Sequence, residues 1–423
     1  VFMAKGSGIA YCKCVCIGML AVLIGYIFKK VSQMGVYIVY DIKSEHGNDN
    51  CIILDDLFGC EDAGQWNDGS ILLSCMNRTH SMLKSMDMNN KDRFPDILRW
   101  YNYGKEYEYF WYMENMDSKA VKINIKNRIK GPEFNPHGIG LIDYKKEKLI
   151  YLVNHRSDGE VVEIFQMKKN TIYYLSEVRS PYFVNINDIK PFIIEDDGKP
   201  FDKNNINIGF YVTNWGGYQM NSLLNRMEIL FQLQTSDLVL CVPMFMTNED
   251  DKWNEIHCFI ADEKLSMING IEMSNDMTKL YVAETNAKRV IIYDLSNVKI
   301  NERTIFSGAL NKGLSNVNKT YIGFPIKLAG PDNIFVDKND DVYVATHPNM
   351  WMFIKHITNS SANAPSQIYK LNKNNNTFNE IYFSVGLSEY KSHVSGACVG
   401  IFDPKYNKLL LGTLIDKVMI CTI

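Results

Sequence analysis

NGIEMSNDMTKLYVAET, running from Asn269 to Thr285, sets out one unit in miniature: a polar head, a short apolar strand, a turn of Ser, Asn and Asp, and a second apolar strand. Aromatic and β-branched residues stand where a pleated surface favours them, and the turn residues stand between the two runs. The same order recurs in DNIFVDKNDDVYVATH from Asp332, HGIGLIDYKKEKLIYLVNH from His137 and SGACVGIFDPKYNKLLLGTL from Ser395. EDAGQWNDGSILLSC from Glu61 and the longer NDIKPFIIEDDGKPFDKNNINIGFYVTN from Asn187 bring the set to six.

With heads at Glu61, His137, Asn187, Asn269, Asn333 and Ser395, successive heads stand 50 to 82 residues apart, room for four strands and their loops. Units of this kind cannot bury both faces alone, so they stack around an axis. The expected fold is all-β, a six-bladed β-propeller. Two packed sandwiches are the other arrangement, but they give no reason for polar residues to recur at one place in every unit. After residue 50 the best helix candidate is Met220 to Leu233.

A ring needs its first and last units tied together. Cys51 and Cys421 lie at its two ends, and a bridge between them, closing a very long loop, would contribute several kcal/mol by constraining the unfolded chain. Cys60 with Cys75 and Cys241 with Cys258 are lesser pairs. The cysteines lack zinc-finger spacing, which favours disulfides in an oxidising compartment over a structural metal. Sequons at Asn77, Asn318, Asn359 and Asn375 agree with secretion.

At the N-terminus, Ile9 to Phe28 is apolar apart from Lys13, and Lys29 and Lys30 close the run. Snorkelling of Lys13 stretches it to spanning length, so residues 1–30 are expected to be an uncleaved signal-anchor and 31–50 a linker to the propeller at 51–423. Lys5 and Lys13 roughly balance Lys29 and Lys30, leaving orientation open by charge. The sequons and cysteines tip it towards a lumenal or extracellular body, anchored or secreted. A net charge of −3, with no Lys/Arg block, sets nucleic acid aside as a partner.

In a propeller the heads converge at one face of the axis. Glu61, Asp62, Asn187, Asp188, Asn269, Asp332 and Asn333 offer only carboxylate and amide oxygens there. Calcium takes about six to eight such oxygens in a flexible shell, whereas magnesium demands a tighter octahedron. His137 and His155 come from two strands of one unit, so one imidazole can take a proton from water while the second orients it. His347, at the end of another hairpin, can line the same mouth.

FNPHGIG (134–140), LVNH (152–155), NINDI (185–189), INGIEMSNDMTKLYVAE (268–284), PDNIFVD (331–337), HPN (347–349) and the terminal LLLGTLIDKVMICTI resemble the paraoxonase/arylesterase family. The likeness runs in order from about Cys51 to Cys421 and is loosest between Arg78 and Glu133. It implies a six-bladed propeller with two calcium ions in its tunnel that hydrolyses aryl esters or lactones. By the same resemblance Glu61, Asn187, Asn269, Asp332 and Asn333 would hold a catalytic calcium, and Asp62, Asp188 and the Ile139 carbonyl a structural one. His137 and His155 match the family's catalytic pair, and Cys51 with Cys421 its ring-closing disulfide. Trp215 and Met267 replace other residue types in the pocket wall, so substrate preference is not inherited. Nematode relatives that assist channel assembly supply the alternative, a non-catalytic membrane-anchored chaperone with a membrane-protein partner.

Overall fold

The computed structural model describes residues 6–36, 46–47, 49–76, 109–128, 134–194, 201, 206–219, 222–247, 252–298, 313–314, 316–326, 329–386 and 393–423. Asn77 and the residues that follow it lie outside them, as does half of the expected linker at 31–50.

The fold is all-β. Each strand–turn–strand unit becomes the first hairpin of a four-stranded antiparallel group. The first group is β2 (Cys60–Gln65), β3 (Ile71–Cys75), β4 (Tyr109–Met113) and β5 (Val121–Lys126). The second is β6 (Pro136–Tyr144), β7 (Glu147–Arg156), β8 (Gly159–Lys168) and β9 (Thr171–Val178). Next come β10 (Ile186–Ile193), β11 (Ile208–Asn214), β12 (Ser236–Thr247) and β13 (Lys252–Leu265), then β14 (Ile268–Met273), β15 (Lys279–Glu284), β16 (Arg289–Asp294) and β17 (Lys319–Gly323). The fifth is β18 (Gly330–Val336), β19 (Val342–His347), β20 (Ser366–Asn372) and β21 (Thr377–Ser384). The last, β22 (Ala397–Asp403), β23 (Lys408–Thr413) and β24 (Lys417–Thr422), takes its fourth strand from the other end of the chain, β1 (Cys51–Phe58).

The first strands of successive groups touch one another in order, and β22 touches β2, so the six close a ring. Strands near the ring are covered on both faces. The run Leu149 to Val153 on β7 is therefore buried residue after residue, as a strand between two sheets requires, whereas outlying β5 exposes Val121, Lys122 and Lys126. One pairing had no sequence signal. β5 and β9, the outermost strands of two groups, pair in parallel through Ile125 with Ile172, fusing those groups into an eight-stranded sheet.

The seam is closed as expected. Cys51 faces Cys421 in the β1–β24 ladder and is bonded to it, and Cys60–Cys75 and Cys241–Cys258 join facing partners in the same way. Cys398 is buried and in no disulfide.

Three helices accompany the sheets among the described residues. α1 spans Gly6–Gln33. α2, Leu223–Phe231, falls inside the expected segment, with Ser222 accepting a hydrogen bond from the Asn225 N–H as its N-cap and Gln232 ending it in the left-handed region. α3, Met350–Thr358, was not anticipated. The Asn349 side chain starts it by accepting from the Met352 N–H, and the same side chain donates to the Gly35 carbonyl beyond α1. Tyr26 stacks on Phe231, and Lys30 donates to Gln232, so α1 also meets α2. The spanning anchor finds no support: among the described residues no helix is long and apolar enough to cross a membrane, and α1 side chains before Met19 are not among them.

Candidate active site

Every first strand carries a register shift against its second strand, and each shift falls at the head. It lies between Cys60 and Asp62, Pro136 and Ile139, Ile186 and Ile189, Ile268 and Ile271, Pro331 and Ile334, and Ala397 and Val399. The residues inside these six bulges are Glu61, His137, Asn187, Asp188, Asn269, Asp332, Asn333 and Cys398, with Gly138 and Gly270 beside two of them. A bulge frees a residue from the ladder and re-aims its side chain. That is how six separate hairpins present polar groups to one place. Ser395, read as the sixth head, lies outside β22, where its N–H donates to Asp416. The bulge residue of that unit is Cys398.

Glycine lets the heads approach. A methyl group at Gly138 would stand 2.4 Å from the Asn187 carbonyl oxygen, and one at Gly270 would stand 2.5 Å from both Asn333 Cα and the Asp332 carbonyl oxygen. The backbones of neighbouring groups therefore touch where the polar side chains gather.

Two sets of groups meet there. In one, Asn333 Nδ2 donates to Glu61 Oε1 (3.1 Å) and to the Glu61 carbonyl (3.0 Å). The amide oxygens of Asn187, Asn269 and Asn333 are buried and receive no hydrogen bond. In the other, Asp62 accepts from the N–H of Ile139 (2.7 Å) and Ala63 (2.8 Å), and Asp188 accepts from the N–H of Ile271 (2.8 Å) and Ile189 (2.7 Å). Burial pushes Asp62 well above the usual carboxylate range, helped by the charges of Asp188 and Glu61. Burial likewise raises Asp188, against the pull of its two backbone donors, and raises Asp332, against His347. Buried carboxylates and unsatisfied amide oxygens of this kind are costly alone and are relieved by a divalent cation. Their hard oxygen chemistry fits calcium.

Beside Glu61 runs a chain of proton carriers. His137 Nε2 lies 3.3 Å from Glu61 Oε2 and 3.3 Å from Asn187 Nδ2. Its Nδ1 lies 2.8 Å from His155 Nε2, and His155 Nδ1 lies 2.6 Å from Glu160 Oε2. With His155 neutral and donating from Nδ1 to the Glu160 carboxylate, its Nε2 accepts from His137 Nδ1; His137 Nε2, equally far from the Asn187 amide donor and the Glu61 carboxylate, is then the basic nitrogen of a neutral imidazole and a donor to Glu61 once protonated. Glu160 was missed by sequence reading. It faces His155 in the β7–β8 register, across a hairpin whose turn is Ser157–Asp158, so the segment NHRSDGE carried a usable signal.

The remaining pocket candidates are close by in the chain but differently employed. His347 is buried and pairs with Asp332 at 2.7 Å. Trp215 and Met267 share one partner: Ser236 Oγ donates to the Trp215 carbonyl and accepts from the Met267 N–H. Of the sequons, Asn318 and Asn375 are exposed and Asn359 is half-buried.

Fold and site together define a family. The chain belongs to the arylesterase family, whose model matches residues 72–423. Among characterised relatives, it is similar to human serum paraoxonase/lactonase 3, with 23% identity covering 73% of this chain and 74% of that protein. Human serum paraoxonase/arylesterase 1 is 25% identical, covering 68% of each. Similar solved structures include a luciferin-regenerating enzyme (11% identity, TM-score 0.46, covering 88% of this chain and 95% of that chain). Another is the calcium-binding protein regucalcin from Agrobacterium tumefaciens str. C58, with 12% identity and a TM-score of 0.44, covering 89% of this chain and 94% of that chain. At these scores the structural likeness is loose.

Proposed function

We propose that this protein is a calcium-dependent hydrolase of carboxylic esters or lactones, its six four-stranded groups forming the blades of a propeller around the metal sites. The observation that carries the reading is the meeting of Asn333 and His137 on the carboxylate of Glu61, with Asn187 against His137, while the amide oxygens of Asn187, Asn269 and Asn333 are buried and without hydrogen bonds. The lactonase and arylesterase names of its relatives support it.

In this reading Glu61, Asp332, Asn187, Asn269 and Asn333 would hold one calcium ion, and Asp62, Asp188 and the Ile139 carbonyl a second. Calcium held there would supply Lewis acidity towards a substrate carbonyl oxygen. The chain's own residues do the proton work. His137 Nε2 takes the proton of an attacking water. His155 accepts a proton from His137 Nδ1 and passes its own Nδ1 proton towards Glu160, so the positive charge does not rest beside the metal. Glu61 also faces the imidazolium at 3.3 Å while it lasts. The relatives' names do not favour the assembly-factor alternative.

The secretory pathway is the proposed location, supported by three disulfides in facing strand pairs. Membrane contact through α1 is supported by the exposure of Met19, Leu20, Val22, Ile24 and Phe28. Hydrolysis of aryl acetates and medium-chain lactones by the purified chain, with calcium and then with EDTA, tests the function. Activity indifferent to EDTA, or none on any of these substrates, would sink it.

A further inference from the structure

The sixth bulge differs from the other five. Where they present oxygens or imidazole, β22 presents the thiol of Cys398, which is buried and in no disulfide. The thiol donates to the Gly396 carbonyl at 3.4 Å and lies beside the Asp332 carboxylate. His347, the last residue of β19, holds the same carboxylate through Nε2 at 2.7 Å. One ligand atom from each of Asp332, His347 and Cys398 lies within 4.8 Å of the others, and all three residues are buried. His347 Nδ1 is itself buried and receives no hydrogen bond. The imidazole is fixed by stacking on Phe353 of α3, ring centroids 3.6 Å apart.

Hard cations prefer the oxygens of the other five heads, whereas a thiolate with an imidazole selects a softer ion. Three protein ligands of sulfur, nitrogen and oxygen leave a fourth position open, the pattern of zinc sites that bind water or an exogenous ligand.

We propose that Cys398, His347 and Asp332 form a site for a thiophilic divalent cation such as zinc, adjoining the oxygen-lined centre and sharing Asp332 with it. Binding releases the Cys398 thiol proton to solvent and forms the metal–sulfur bond. Asp332 cannot serve both ions fully, so zinc and calcium compete. Only the competition with calcium rests on the hydrolase reading: the cobalt band tests the Cys398 site by itself, and a band indifferent to calcium would count against calcium at Asp332 and not against the thiolate site.

The probe is cobalt(II), added to full-length chelator-stripped protein in which Cys12, Cys14 and Cys16 are changed to Ser so that Cys398 is the one thiol outside the disulfides. The expected result is a sulfur-to-cobalt charge-transfer band that saturates at one equivalent, is bleached by zinc and is weakened by excess calcium. Cys398→Ala should abolish the band. His347→Gln should weaken cobalt binding roughly tenfold or more, since a lost ligand costs at least what a lost supporting contact does. If Cys398→Ala does not fold, His347→Gln supplies the deciding comparison. No band in the Ser background, a band that survives Cys398→Ala, or unchanged affinity in His347→Gln overturns the proposal.

Discussion

His155 Nδ1 and the Glu160 carboxylate stand 2.6 Å apart across the β7–β8 hairpin, at the outer end of a line of polar contacts that runs through His137 to Glu61. Replacing Glu160 by Gln keeps the shape but offers His155 no anionic acceptor. Hydrolysis is expected to fall in kcat by roughly tenfold to a hundredfold with KM little changed, and the pH profile to shift. His137→Gln should cost more, on the order of 10²- to 10⁴-fold, as loss of a general base does. Steady-state kinetics across pH for both variants decide it: equal losses, or a KM effect alone at Glu160, would count against a relay.

Calcium removal should matter more as pH rises. Asp62, Asp188 and Asp332 are raised above their unfolded values, so in metal-free protein the folded state keeps protons that the unfolded chain has released. Their contribution is full below about pH 4 and is lost as pH climbs through the raised folded values. Urea midpoints in EDTA should therefore fall from pH 5 to pH 8, and calcium should restore them chiefly at the upper end. A midpoint insensitive to calcium at pH 8 would show that these carboxylates face no metal.

Gly270 admits no side chain without moving the backbone of Asp332 and Asn333. Gly270→Ala should destabilise the fold by roughly 1 to 3 kcal/mol, the usual cost of forcing extra atoms into a packed site. It should also weaken calcium binding, because both displaced residues carry proposed ligands. Calorimetric titration with calcium alongside chemical denaturation separates the two effects.

The Cys51–Cys421 bridge spans a sequence separation of 370 residues. Changing both to Ser should lower stability by about 6 kcal/mol in the chain-entropy model, more than the about 3 kcal/mol expected for the short loop of Cys60–Cys75. Because β1 supplies the fourth strand of the last group, hydrogen exchange should quicken first in β1 and β24. Uniform loss of protection would mean that the seam is not the weak point.

Six strand–turn–strand units, the polar residues heading five of them, and all three disulfide pairs were legible in the sequence by itself. The reason is that hairpins are local: turn residues and alternating apolar runs specify which strand pairs with which, and Cys60–Cys75 and Cys241–Cys258 follow from such registers, whereas Cys51–Cys421 followed from the need to tie the two ends of a ring. What lay between hairpins was decided only by the tertiary structure. The parallel pairing of Ile125 with Ile172, the bulges at Asn187 and Asn269, and the meeting of Cys398 with Asp332 and His347 depend on how separate sheets stack. No periodicity within one unit records its angle to the next. Glycine at positions 138 and 270 was visible as a letter, but its purpose, to let two backbones touch beneath the gathered polar side chains, exists only once the ring has closed.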